Sequence, residues 1–191
     1  MRALGIAAGV CMLAACGAQP EVDRFDAWRH AHREDVDSYE HYLRAAGVAG
    51  IVPLHDLLRS GRRWKQCGTA EFVVPPRGAW HAMTATLRVV GDLRGAGIIL
   101  APVVASSFRT TAFNRCEGGS ARSRHLANNA LDFDLGADAG QRLCDWWRRH
   151  GKTRGVGLGF YTPRRIHFDT AGFRTWGSDH TGKTSRCVAG R

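Results

Sequence analysis

The stretch Ser123-Arg124-His125-Leu126-Ala127-Asn128-Asn129-Ala130-Leu131-Asp132-Phe133-Asp134 carries two signals at once, a strand and half of a metal site. From residue 130 to 135 apolar and acidic residues alternate. A strand there turns Leu131, Phe133 and Leu135 to a core and Asp132 and Asp134 to the opposite face. Two aspartates sharing a face repel each other unless a cation or a hydrogen-bond network offsets their charge. His125 precedes Asp132 across a short polar connection. The same alternation recurs in Arg165-Ile166-His167-Phe168-Asp169, which buries Ile166 and Phe168 and turns His167 and Asp169 together to the other side. His125, Asp132 and His167 would offer a zinc ion three ligands and leave its fourth tetrahedral position open, as a catalytic site requires. Asp134 competes with Asp132 for the same place.

Outward from this centre, residues 130–135 and 165–169 read as strands, with 155–161 joined to the latter as a hairpin around Thr162-Pro163. A helix is expected over residues 139–150, with Leu143, Trp146 and Trp147 inward and Gly151 as its stop. Upstream, Pro76 precedes a helix with Trp80, Met83, Leu87 and Val90 on one face, ended by Gly95-Ala96-Gly97. Residues 98–104 read as an apolar strand that Pro102 bends or sends to an edge, and residues 106–124 as a polar loop. Further back, Phe25, Trp28, Val36, Tyr39 and Leu43 recur at helical steps over residues 23–46, with a break near Glu34 and Gly47 as terminator. A short helix follows Pro53, with Leu54, Leu57 and Leu58 on one face. Strands and helices mix without a βαβ repeat, so the class is α+β with a small antiparallel sheet flanked by helices.

Ser123-x-His125 followed by Asp132 and a strand-borne His167 resembles the zinc D-Ala-D-Ala carboxypeptidases, murein endopeptidases and hedgehog-type domains, which share one fold. Upstream, Ser106-Ser107-Phe108-Arg109 through Asn114 and Gly118-Gly119 is similar to the same family. So are Gly155-Val156-Gly157-Leu158-Gly159-Phe160-Tyr161, His167-Phe168-Asp169-Thr170 and Arg174-Thr175-Trp176-Gly177, as in its smaller, M15A C-terminal-like branch. The resemblance covers residues 75–178. It implies the hedgehog/DD-peptidase fold, zinc on His125, Asp132 and His167, and Arg109 gripping a carboxylate or developing oxyanion. It also implies Ser123 at the substrate. Relatives place an acid three residues before the last histidine or a second histidine two before it; Arg164 and Arg165 stand there here. Asp169 is the candidate general base, or else an acceptor that orients a ligand histidine; Asp134 and Glu117 are alternatives. Gly155, Gly157 and Gly159 lack the strand–turn–helix context of a nucleotide fingerprint and read as strand glycines beside the site. Trp176 is expected under the closing turn, and His81, His150 and His180 on the surface or in the core.

The chain has 191 residues, 44% of them hydrophobic, and a formal charge of +10, with a pI near 10.1. Such charge calls for an acidic partner, and nucleic acid is the first class it suggests. The leader argues for another. Arg2, an apolar run to Leu13 and then Leu13-Ala14-Ala15-Cys16-Gly17 resemble a lipobox, with Cys16 cleaved, acylated and anchored in a membrane. Gly17 in place of Asp is compatible with outer-membrane sorting, hence the periplasmic side of an outer membrane where one exists. Cys67, Cys116, Cys144 and Cys187 then suggest two disulfides in an exported protein, in any of three connectivities. Cys116–Cys144 with Cys67–Cys187 is the favoured one.

The expected organisation is a lipoprotein signal over residues 1–16, a tether and helical extension over 17–74, a zinc peptidase domain over 75–178 and a tail over 179–191. The expected function is hydrolysis of peptidoglycan stem peptides by a zinc carboxypeptidase or cross-link endopeptidase, with no nucleic-acid partner. The alternatives are a peptidoglycan-binding module that keeps zinc but lacks a base, and a nucleic-acid binder suggested by charge alone.

Overall fold

A computed structural model describes residues 20–100 and 103–188 of the chain. The lipobox with Cys16, the start of the tether and Pro102 lie outside the described residues. Helices α1 (Pro20–Ala31) and α2 (Arg33–Ala45) break at His32, and the short α3 (Leu54–Leu57) follows Pro53. Helix α4 runs Trp80–Gly95. Strand β1 (Val103–Ser106), helix α5 (Thr111–Cys116), strand β2 (Ala130–Asp134) and helix α6 (Ala139–Arg154) come next. The chain closes with β3 (Gly157–Phe160), β4 (Arg165–Asp169) and β5 (Arg174–Trp176).

The five strands form one sheet in the order β1-β2-β4-β3-β5. Its first four strands are antiparallel neighbours, but β5 runs parallel to β3. The class is α+β as expected; the sheet is mixed rather than antiparallel throughout. A three-residue strand with half-buried side chains carries no alternation that would reveal its direction.

One face of the sheet is apolar. Leu131, Phe133, Leu158, Ile166 and Phe168 are fully or almost fully buried, in one cluster with Leu87 and Val90 of α4 and Leu143 of α6. Each such side chain contributes roughly 1.5–3 kcal/mol by leaving water. The same cluster takes in Phe25, Val36, Tyr39 and Leu43 from α1 and α2, so the N-terminal helices share the core. Tyr39 and Tyr42 rest on Trp80 at ring distances of 5.1 and 5.4 Å.

Three expectations are corrected. Gly151 does not stop α6, which continues to Arg154 and ends on left-handed Gly155 (φ 63°). A Cβ at position 151 would lie 2.8 Å from Trp147 and 2.9 Å from Phe173, so the glycine marks a close packing point. Ile98 and Ile99 do not begin a strand; both donate to the Leu93 carbonyl and close the end of α4. The disulfides are Cys67–Cys116 and Cys144–Cys187, with Cα atoms 5.8 and 4.9 Å apart. Cys116 ends a helix hidden in the expected polar loop. That helix lies against the residues before Cys67, where Phe113 meets Gly61, rather than against α6.

Candidate metal centre

The polar face of the sheet carries the site on one cross-strand rung. Ser106 stands opposite Asp132, Asp132 opposite His167, His167 opposite Gly159, and Gly159 opposite Trp176. Neighbouring strands lie about 5 Å apart, so paired side chains on one face touch without help from loops. His125 arrives from outside the sheet, on a 3₁₀ turn at Arg124–Ala127. Asn128 then takes the left-handed conformation (φ 52°) that swings the chain into β2, and its amide donates to the Ala79 carbonyl at 3.1 Å. The Asn129 side chain accepts from Thr86 on α4 and from Thr170 after β4. The short polar connection of the sequence is thus bolted to both neighbours.

Three ligand atoms meet. His125 Nε2 lies 3.1 Å from Asp132 Oδ1 and 3.2 Å from His167 Nδ1, and His167 Nδ1 lies 3.0 Å from Asp132 Oδ1. Zinc bonds of about 2.0–2.1 Å in a tetrahedron put ligand atoms about 3.3 Å apart, so this set fits the ion. The far nitrogen of each imidazole is engaged. His125 Nδ1 lies 2.6 Å from the Ser107 carbonyl and His167 Nε2 lies 3.0 Å from Asp169 Oδ2. A proton on each far nitrogen leaves a lone pair on each inner one, the tautomer a metal needs.

Charge is arranged to match. Burial pushes His125 down toward the neutral form that ligates. Burial alone would also depress His167 and raise both aspartates, but hydrogen bonds outweigh it. His167 is raised by Asp132 and Asp169. Asp132 is held far below the ordinary carboxylate range by His125 and His167, and Asp169 is lowered by His167 and Arg174.

The remaining sequence candidates fall around this centre. Arg109 is buried; Nη2 donates to Asp132 Oδ2 and Nε to Ser106 Oγ at 2.7 Å, while its backbone N–H reaches the His125 carbonyl. Asp169 is fully buried behind His167, where Arg174 Nη2 donates to it at 2.6 Å and the Ala171 N–H at 2.8 Å. Asp134 faces Arg165 across the strand pair, and both Arg165 and Arg62 donate to it. That pairing, rather than a metal, offsets the second aspartate of the β2 face. Ser123 precedes the 3₁₀ turn, its hydroxyl free of any capping bond, and lines the cleft.

That cleft holds about 1400 Å³ and is walled by His125, Asp132 and His167 together with Glu117, Tyr161 and Trp176. Seven arginines line it against three carboxylates. Trp176 lies 5.3 Å from the His167 ring, not simply under a turn, and His180 reaches the rim. Tyr161, Arg174, Asn128 and Asn129 lie in stretches that the sequence singles out, but their roles are not legible there: register brings Arg174 toward Asp169, and the left-handed turn places the asparagines. Among the described residues a second group, Glu21, His55 and Asp56, also converges, but Arg59 pairs with both carboxylates and supplies the cation. No helix among these residues is long and apolar enough to cross a membrane.

A family model described as Peptidase M15 matches residues 59–169, a span that includes all three ligand candidates. No curated protein matches the chain.

Proposed function

The chain belongs to the peptidase M15 family, and from that premise we propose that it is a zinc metallopeptidase hydrolysing peptidoglycan stem peptides, as a D-Ala-D-Ala carboxypeptidase or a cross-link endopeptidase. The observation that carries this reading is the convergence of His125 Nε2, Asp132 Oδ1 and His167 Nδ1 in a cleft, each held from behind. Zinc there would supply Lewis acidity and a water of lowered pKa. The chain's own residues do the rest. Ser107 and Asp169 orient the two imidazoles, and Arg109 fixes Asp132 through its outer oxygen. Ser123 offers a free hydroxyl to a peptide. Arg122 and Arg124, exposed beside it and without a carboxylate partner among the described residues, favour an anionic substrate such as a stem with free carboxylates.

Export and a lipid anchor at Cys16 belong to the same proposal, supported by the Leu13-Ala14-Ala15-Cys16 sequence and by two disulfides, which persist in oxidising compartments. A second reading is a zinc-containing peptidoglycan-binding lipoprotein without turnover. It is favoured by one observation: Asp169 and Asp134, two of the carboxylates that qualify as bases by sequence, are both closed into ion pairs with arginine.

Metal content and turnover on one sample separate the two. Purified protein is assayed for bound zinc and for D-Ala or cleaved muropeptides released from sacculi, beside His125→Ala. One zinc per chain with product that vanishes in the variant is the expected result. Zinc without product selects the binding module, and protein that takes up no zinc overturns both.

A further inference from the structure

Tyr161 follows the last residue of β3, and its N–H donates to the Arg165 carbonyl at 3.0 Å, which closes the hairpin and fixes where the side chain departs. The ring stands edge-on to two imidazoles, 6.4 Å from His167 and 6.3 Å from His180. His180 is itself held in a left-handed conformation (φ 61°), its N–H on the Gly177 carbonyl, in a turn that Asp179 ties to Thr181 and Thr184. These two contacts limit how the partly buried phenol can turn. It lines the cleft with the three ligand residues and Arg109. Its hydroxyl has no hydrogen-bond partner among the described residues. Tyr161 is only partly buried, so its hydroxyl meets the solvent of the cleft and is open to a bound substrate.

The reaction has a use for such a donor. Amide hydrolysis needs a donor aimed at the carbonyl oxygen as that oxygen gains charge. Arg109, the residue that the resemblance assigns there, has Nε on Ser106 and Nη2 on Asp132, which leaves Nη1 to donate and a place for a second donor beside it. We propose that the Tyr161 hydroxyl is a catalytic residue that donates a hydrogen bond to the scissile carbonyl oxygen and strengthens it as the oxyanion forms. The step moves no proton: the O–H bond stays intact while negative charge builds on the acceptor. The assignment rests on the peptidase reading above.

The test is Tyr161→Phe, which deletes one oxygen and keeps the ring. Zinc content, melting temperature, kcat and KM on a D-Ala-D-Ala stem pentapeptide, and affinity for a phosphinate analogue of the tetrahedral state are measured beside the unaltered chain. With one oxyanion donor lost, kcat falls roughly 10²-fold while KM moves less than about twofold. Phosphinate affinity falls in parallel and zinc is retained. Unchanged kcat and phosphinate affinity overturn the proposal. So does a variant that loses zinc or melts early, since the tyrosine is then a packing residue. If the unaltered chain holds zinc but cleaves nothing, the peptidase reading fails by itself. Phosphinate affinity still decides for or against Tyr161 as a donor.

Discussion

Asp132, Asp134 and Asp169 sit on the same polar face of adjacent strands and do three different things. Alternation along the chain puts each on that face, and this much is legible from residue order alone. What residue order leaves open is which aspartate meets which neighbour. Register decides that: Asp132 stands opposite His167, Asp134 opposite Arg165, and Asp169 opposite Gly157 with Arg174 beyond. The consequence for Asp169 is testable. As the acceptor behind His167 Nε2, it should govern how well zinc is held more than how fast a peptide is cut. Asp169→Asn is expected to lower zinc affinity by about 10–100-fold, read by chelator competition, while kcat in saturating zinc stays within about tenfold of the unaltered chain. A variant that binds zinc normally yet loses all turnover would instead make Asp169 the base.

At the scale of elements, the glycines of β3 explain how a five-stranded sheet makes room for its site. A Cβ at Gly159 would lie 2.2 Å from Trp176, and one at Gly157 would lie 2.6 Å from both Arg174 and Asp169. The bare strand lets side chains of β5 cross over β3 and reach β4, where the indole meets His167 and the guanidinium meets Asp169. Gly159→Ala must therefore displace the indole. A stability loss of about 1–3 kcal/mol is expected from the overpacking, measured as a shifted urea midpoint, together with a changed tryptophan emission and weaker stem-peptide binding. Unchanged emission and midpoint would mean that the indole does not lie over β3. The sequence marks these glycines as strand residues near the site but holds no sign of the parallel β5 that needs them. Helix α5 is hidden for a related reason: with six residues it is too short for a periodic stripe, and only Thr110, whose hydroxyl accepts from the Phe113 N–H, announces it.

The whole molecule is more unified than the family match. That match begins at residue 59, yet the core does not respect the boundary. Tyr39, from α2, has no exposed surface and packs on Trp80 at the head of α4; Phe25, from α1, meets Phe72 edge-on at 5.1 Å. The helical periodicity of residues 23–46 identifies the buried stripe, but a stripe does not name its partner, and an independently folded extension would show the same one. The two arrangements predict different unfolding. With a shared core, Tyr39→Ala leaves a cavity against α4 and costs about 3–5 kcal/mol. The loss would appear as one cooperative transition in which tryptophan emission, helical signal and zinc release shift together. With a separate extension, the same substitution would lower one early transition and leave zinc release where it was. Coincident shifts are expected, because α4 holds Tyr39's partner Trp80 on one side and, through Thr86, the Asn129 that positions the ligand loop on the other. Anything that loosens the N-terminal helices should therefore reach the zinc ligands by way of α4.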